Sequence, residues 1–293
     1  MRSHALPRRA ARPVAAAIAI ALLALGLAGC SRPAPRPHGI VLVVLDTLRA
    51  DRLSAYGHVR ETSPRLHRLA AEGVLFEQAI THSPWTLPAF IGLLSGRYPG
   101  EDVYDGRLRV SLVETLRDAG YRTAAFTEGG YVSAYFGIDL GFERFLAEEG
   151  DVRLLTGAGL QPGAGAGGVE HTFDTAIAWL DAHAGEPFFL LVHTYEPHTP
   201  YLRREFAEGL PRGALPEDVY SIETAGKVGS GEVPAGPEEI EYVRALYDGG
   251  IAAADRELGR LLDRLAGLRR DERPGGVVTS GPRQERGGAG ATR

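Results

Sequence analysis

The chain has 293 residues, 44% hydrophobic and 24% charged, with 37 acidic against 32 basic side chains. This is the composition of a globular protein with a sizeable core, long enough for one large domain or two small ones. No basic stripe runs along it, which argues against nucleic acid as a partner, and a single cysteine excludes an internal disulfide and a thiolate metal site.

Residues 1–30 read as an export signal. Arg2, Arg8, Arg9 and Arg12 precede an apolar run from Val14 to Leu27, which closes in Leu27, Ala28, Gly29 and Cys30. A run of about 14 apolar residues is too short to cross roughly 30 Å of hydrocarbon. Small residues directly before a cysteine resemble the bacterial lipobox, which implies that Cys30 is lipidated and becomes the first residue of the mature chain. The expectation is an exported protein held by lipid in a bacterial cell envelope, with residues 31–38 as a linker. Without the first 29 residues the charge becomes 28 basic against 37 acidic, a net of −9.

Ile40 to Leu45 is an unbroken β-branched and leucine run, the pattern of a strand buried on both faces, and Asp46 stands at its carboxyl end. Ligands of open α/β sheets bind at that edge. Forty residues later Thr86 opens an apolar stretch reaching Leu94, with Pro88 in what would be the first helical turn. A carboxylate at a strand end and a hydroxyl at a helix start could share a divalent cation beside an anionic substrate. The plainer alternative is a turn-forming Asp and a helix-capping Thr.

The rest of the chain alternates in the βα manner. Ser111 to Ala119 predicts a helix, Tyr121 to Phe126 a strand, Thr172 to Ala184 a helix, and Phe188 to Val192 a strand ending at His193. A mainly parallel sheet with helices on both faces follows, an α/β fold. Thr156 to Gly168 reads as a flexible glycine-rich loop and Ala207 to Gly236 as irregular. Pro237 opens a long helix in which Gly249 and Gly250 predict a bend. The segment HTYEPHTPY, His193 to Tyr201, places His193, Glu196 and His198 at the same edge as Asp46. Imidazoles there could bind a metal, touch an anion or protonate a leaving group; the alternative is a proline-built turn with surface histidines. His82 and His171 have no supporting pattern.

Three blocks, VLVVLDTLRADRLSAYG, SPRLHRLAAEGVLFEQAITHSPWTLP and LLSGRYP, resemble in order and spacing the sulfatase-like branch of the alkaline phosphatase superfamily, with similarity continuing to about Ser280. The resemblance implies an alkaline-phosphatase-like fold over residues 39–280, with Asp46 as a metal ligand and Thr86 as nucleophile and second ligand. It implies His198, and with less support His193, as substrate contacts, and a divalent ion (Ca, Mn, Mg or Zn) as cofactor. The expected activity is hydrolysis or transfer of a phosphate ester; the alternatives are a sulfate ester as substrate, or a non-catalytic envelope lipoprotein.

This chain departs from the family pattern at several positions. True sulfatases carry a Cys or Ser, converted to formylglycine, where Thr86 stands. Ala89 and Phe90 replace a Ser and a His, Thr47 replaces the second aspartate of a pair, Thr127 to Gly130 replace a lysine-bearing segment, and Glu196 replaces an Asp. After GVVTS the family has Asp-His-Gly, which supplies further metal ligands; here Gly281, Pro282 and Arg283 follow. If those three are encoded GGA, CCA, CGG, reading one base later gives Asp-His-Gly. The expectation is therefore a fold incomplete at the carboxyl end, with residues 281–293 an out-of-frame, disordered tail and hydrolysis impaired.

Overall fold

The computed structural model describes residues 37–98, 106–147, 168–219, 221–268 and 274–281. The signal with Cys30, the linker up to residue 36, nearly all of the glycine-rich segment and the tail beyond Gly281 lie outside the described residues.

Among the described residues five strands carry the fold: β1 (Gly39–Leu45), β2 (Arg122–Thr127), β3 (Arg144–Ala147), β4 (Phe188–Thr194) and β5 (Gly275–Ser280). They form one sheet in the order β3-β2-β4-β1-β5, and every pair is parallel. The helices are α1 (Pro64–Glu72), α2 (Thr86–Ser95), α3 (Leu112–Asp118), α4 (Gly168–His183), α5 (Ile222–Ser230) and α6 (Pro237–Ala266).

The pleat of β1 explains why its sequence is apolar throughout. Val41, Val43 and Leu45 point to one face, where they pack with Phe173 and Leu180 of α4 and Ile251 and Leu258 of α6. Leu42 and Val44 point to the other, against Leu87, Phe90, Ile91 and Leu94 of α2 and Val113 of α3. Both faces are therefore removed from water, as a parallel sheet requires. The expected α/β sheet with helices on both faces is what forms.

Local chemistry sets several helix ends. Ser111 accepts from the Val113 amide and Glu114 reaches back to the Ser111 amide, a capping box that starts α3 where the sequence predicts. Ser63 gives α1 no side-chain cap. The cap comes instead from α6: the Asp255 carboxylate accepts the amides of Arg65 at 2.9 Å and Leu66 at 2.8 Å.

Two expectations need correction. The stretch from Ala207 to Gly236 is not wholly irregular, because α5 lies inside it, N-capped by Ser221 and ended by Gly231 at φ 80°. Gly226 and Gly229 within α5 hide its periodicity. The pair Gly249–Gly250 does not interrupt α6, which runs as 30 helical residues. The two glycines supply space instead: a Cβ on Gly249 would lie 2.8 Å from the Arg203 carbonyl oxygen, and one on Gly250 would lie 2.7 Å from that of Glu196.

Candidate active site

The ladder between β1 and β4 continues one residue past β1, where the Asp46 amide donates to the Thr194 carbonyl at 2.9 Å. Asp46 is thereby fixed at the carboxyl edge of the sheet with no exposed surface. The apolar face of α2 seats that helix on the sheet, and this brings Thr86 Oγ1, at its first turn, to 3.1 Å from Asp46 Oδ2. Trp85, the N-cap residue, makes no side-chain cap. Pro88 has no N–H, so the amides of Thr86 and Leu87 are left facing the helix end.

His193 stands opposite Val44 in the register, so it points to the α2 face. It is fully buried, with Nε2 3.4 Å from Asp46 Oδ2 and its ring edge-on between Phe90 at 5.2 Å and Tyr195 at 4.5 Å. Asp46 Oδ1 and His193 Nδ1 are buried without hydrogen-bond partners.

The residue after Asp46 is unusual. Thr47 has φ 56°, a left-handed conformation that a β-branched residue seldom adopts, and its Oγ1 lacks a partner. Tyr247 of α6 holds this turn. Its hydroxyl donates to the Thr47 carbonyl at 2.8 Å and accepts from the Arg49 amide at 2.9 Å. Burial pushes the Tyr247 phenol above its usual range, so it stays protonated and able to donate.

Gly281, where the family resemblance expects an aspartate, lies directly against this carboxylate. A Cβ there would be 2.9 Å from Asp46 Cγ and 3.0 Å from each carboxylate oxygen.

His198 is partly buried, and its hydrogen bonds are local. Its amide donates to the Tyr195 carbonyl, and Nδ1 lies 2.6 Å from the Thr199 carbonyl oxygen. Glu196 is engaged elsewhere, with Oε1 2.6 Å from Arg203 Nε, while Arg203 Nη2 also reaches Glu170 at 2.7 Å. Burial raises the Glu196 carboxyl above its ordinary value although Arg203 pulls it down, and the paired carboxylates raise the Arg203 guanidinium. His82 packs on α2, with Nε2 3.1 Å from the Pro88 carbonyl oxygen, and His171 is exposed on α4.

Sequence reasoning passed over two residues here. Glu128, buried at the end of β2, accepts the Tyr195 amide at 2.7 Å and so ties β2 to the turn after β4. A carboxylate just past a predicted strand was the signal used for Asp46, and it applies equally to Glu128. Tyr247 gave no such signal, because its partners lie about 200 residues away in sequence.

A divalent ion suits hard oxygen donors, and the unpartnered Asp46 Oδ1 beside a hydroxyl fits in kind. In number the set is short. Among the described residues no three or more His, Cys, Asp or Glu side chains gather to hold a metal ion. Likewise, no helix among them is long and apolar enough to cross a membrane.

Residues 38–272 match the sulfatase family model. Mouse steryl-sulfatase is 30% identical over 139 residues, covering 39% of this chain and 22% of that protein. The C-terminal periplasmic domain of EptC from Escherichia coli, solved in complex with Zn, superimposes with a TM-score of 0.55 at 19% identity, over 85% of this chain and 64% of that one. Phosphonate monoester hydrolase of Agrobacterium radiobacter gives 0.58 at 22% identity, over 84% and 62%. The chain thus spans less than two thirds of each of these proteins, and the two solved structures share its fold.

Proposed function

The chain belongs to the sulfatase family, and on that premise we propose a phosphate-ester hydrolase or transferase in which Thr86 is the nucleophile. The observation that carries this reading is the 3.1 Å contact between Thr86 Oγ1 and the buried Asp46 carboxylate, at a helix start with no side-chain cap.

Thr86 Oγ1 attacks phosphorus while its proton passes to Asp46 Oδ2, and the bond from phosphorus to the alcohol oxygen breaks. The amides of Thr86 and Leu87 receive the equatorial oxygens. His198 contacts the anion and protonates the departing alcohol. Water, or an acceptor alcohol, then releases the phosphoryl group from Thr86. Complete burial suits His193 to orienting Asp46 rather than touching substrate. Asp46 and Thr86 would hold the divalent cation (Ca, Mn, Mg or Zn), which when bound lowers the hydroxyl pKa and offsets the charge of the ester.

We also propose residues 1–30 as a lipoprotein signal with Cys30 lipidated, 31–38 as a linker and 39–280 as the catalytic unit, on the outer side of a bacterial membrane. The likeness to a periplasmic domain supports export.

A second reading, sulfate-ester hydrolysis, is favoured by the similarity to steryl-sulfatase. Threonine cannot yield formylglycine, so it too would require direct attack by the hydroxyl. Turnover of an aryl phosphate and an aryl sulfate, each with Mn²⁺, Zn²⁺ or Ca²⁺, separates the two. The expected result is preference for phosphate and loss of turnover in Thr86→Ala. Turnover unchanged in that variant refutes both readings. No turnover by the unsubstituted chain returns it to a non-catalytic, ligand-binding role.

A further inference from the structure

The turn that carries His198 begins where the sheet stops holding the chain. β2 pairs with β4 only from Arg122 opposite Phe188 to Phe126 opposite Val192, and β1 pairs with β4 as far as Thr194. Among the described residues no ladder continues into Tyr195, Glu196 and His198. Glu128, 2% exposed just past β2, takes hold there. Its Oε2 accepts the Tyr195 amide at 2.7 Å, and its Oε1 lies 3.5 Å from Thr172 Oγ1 of α4.

Tyr195 passes that hold to both histidines. Its carbonyl accepts the His198 amide at 2.6 Å, and its ring stands edge-on to His193 at 4.5 Å and to His198 at 5.8 Å. His193 Nε2 in turn lies 3.4 Å from Asp46 Oδ2. Gly130, at φ 58° in the turn after β2, leaves room for this arrangement, because a Cβ there would lie 3.2 Å from the Tyr195 hydroxyl oxygen and 3.3 Å from its ring.

A hydrogen bond accepted by a carboxylate is roughly twice as strong as one accepted by a neutral group, so this peptide unit is held more stiffly than a turn alone would hold it. At 2% exposure Glu128 does not itself meet a substrate. Resting on the reading of His198 as the anion contact, we propose that Glu128 is a positioning residue: through Tyr195 it sets where the His198 ring stands at the edge of the sheet that carries Thr86.

The test is proton–carbon NMR of the histidine rings, which needs no turnover. His198→Gln identifies the His198 resonance by its loss. Glu128→Met, similar in length and without an oxygen acceptor, should move that resonance in the ligand-free chain. With Mg²⁺ present it should also weaken the inorganic phosphate titration followed at His198 by about threefold to tenfold, the weight of one hydrogen bond. Glu128→Gln keeps an acceptor oxygen and should recover part of both. Should Glu128→Met fail to fold, Glu128→Ala, which leaves room for a water at the amide, gives the same comparison. A His198 resonance that stays in place without the carboxylate, or a phosphate affinity that does not change, overturns the proposal. So does a loss in Glu128→Gln as large as in Glu128→Met, since the hold would then not be the accepted hydrogen bond. If His198 of the unsubstituted chain ignores phosphate, the anion-contact reading falls and Glu128 is judged on the ligand-free resonance alone: moved, the positioning stands; unmoved, it falls too.

Discussion

Removing one oxygen atom, in Tyr247→Phe, should unsettle the turn that carries Asp46. The hydroxyl serves the Thr47 carbonyl and the Arg49 amide at 2.8 and 2.9 Å, and among the described residues neither group has another hydrogen-bond partner. The ring itself stays, still edge-on to Tyr201 at 5.8 Å, so no cavity forms. Each orphaned backbone group costs about 1–3 kcal/mol when buried, and both residues are only half-buried, so the low end applies and the pair costs about 2–3 kcal/mol. In a domain of this size that corresponds to a fall in Tm of about 4–12 °C by calorimetry. Thr47 favours relaxation of the turn, since its left-handed backbone is opposed by about 1–2 kcal/mol and the Tyr247 hydroxyl helps hold it there, so strain released in the variant offsets part of the loss. Relaxation of that turn should also lower turnover by re-aiming Asp46. A Tm within about 1 °C of the unsubstituted chain, against this ledger, would mean that water or a neighbouring group replaces the hydroxyl, and the clamp argument would be wrong.

Gly250→Ala gains roughly 1 kcal/mol of helix propensity but sets a methyl 2.7 Å from the Glu196 carbonyl oxygen, so overpacking of about 1–3 kcal/mol should leave it destabilised in urea melts; a stabilised variant refutes the close-approach reading. Asp255→Asn tests a buried carboxyl whose pKa is raised, because burial outweighs the two amide hydrogen bonds from α1. The folded state holds that proton more tightly than the unfolded chain. The stability it contributes is therefore complete below the unfolded value of about 3.9 and is lost as pH rises through the higher folded value. Urea midpoints at acid and neutral pH should show the unsubstituted chain losing ground to Asp255→Asn as pH rises, and movement in the opposite direction contradicts the assignment. Gly281→Asp places a second carboxylate against Asp46. It should lower Tm in chelator and then respond to Mn²⁺ or Zn²⁺ by about 2.7 kcal/mol at a hundredfold excess over Kd; a metal response no larger than that of the unsubstituted chain rules out a cation site at this pair.

The sequence makes β1, α2 and their junction legible because local pattern and tertiary role coincide there. A doubly buried strand must be apolar at every position, and the carboxylate that ends it stands out. The same holds for Ser111, whose capping box is written within four residues. Legibility fails where the deciding partner is remote. Asp255 caps α1 from about 190 residues away, and Tyr247 clamps Thr47 from about 200. It also fails where a residue has two readings, since Gly249 and Gly250 signal a bend by composition and close packing by contact. β3, with four residues and a single partner strand, is too short to show a period.

Buried carboxylates elsewhere in the fold are fully provided for. Asp248 is held by Arg52 at 2.8 and 2.5 Å and by Arg60, Asp255 by two amides, and Glu128 by the Tyr195 amide and the Thr172 hydroxyl. Among the described residues Asp46 alone is a buried carboxylate with an oxygen that has no hydrogen-bond partner, and it lies beside Thr47 at φ 56° and the unpartnered His193 Nδ1. A buried polar oxygen left this way costs about 1–3 kcal/mol, roughly the whole effect of a typical point substitution. Stability gives no reason to gather an open carboxylate oxygen, an unpartnered imidazole nitrogen and a left-handed threonine at one strand end while the buried carboxylates elsewhere are satisfied. A site that must leave a carboxylate oxygen open for a ligand does give one, and this is why the chemistry is assigned to the end of β1 rather than to the better-paired clusters on α6.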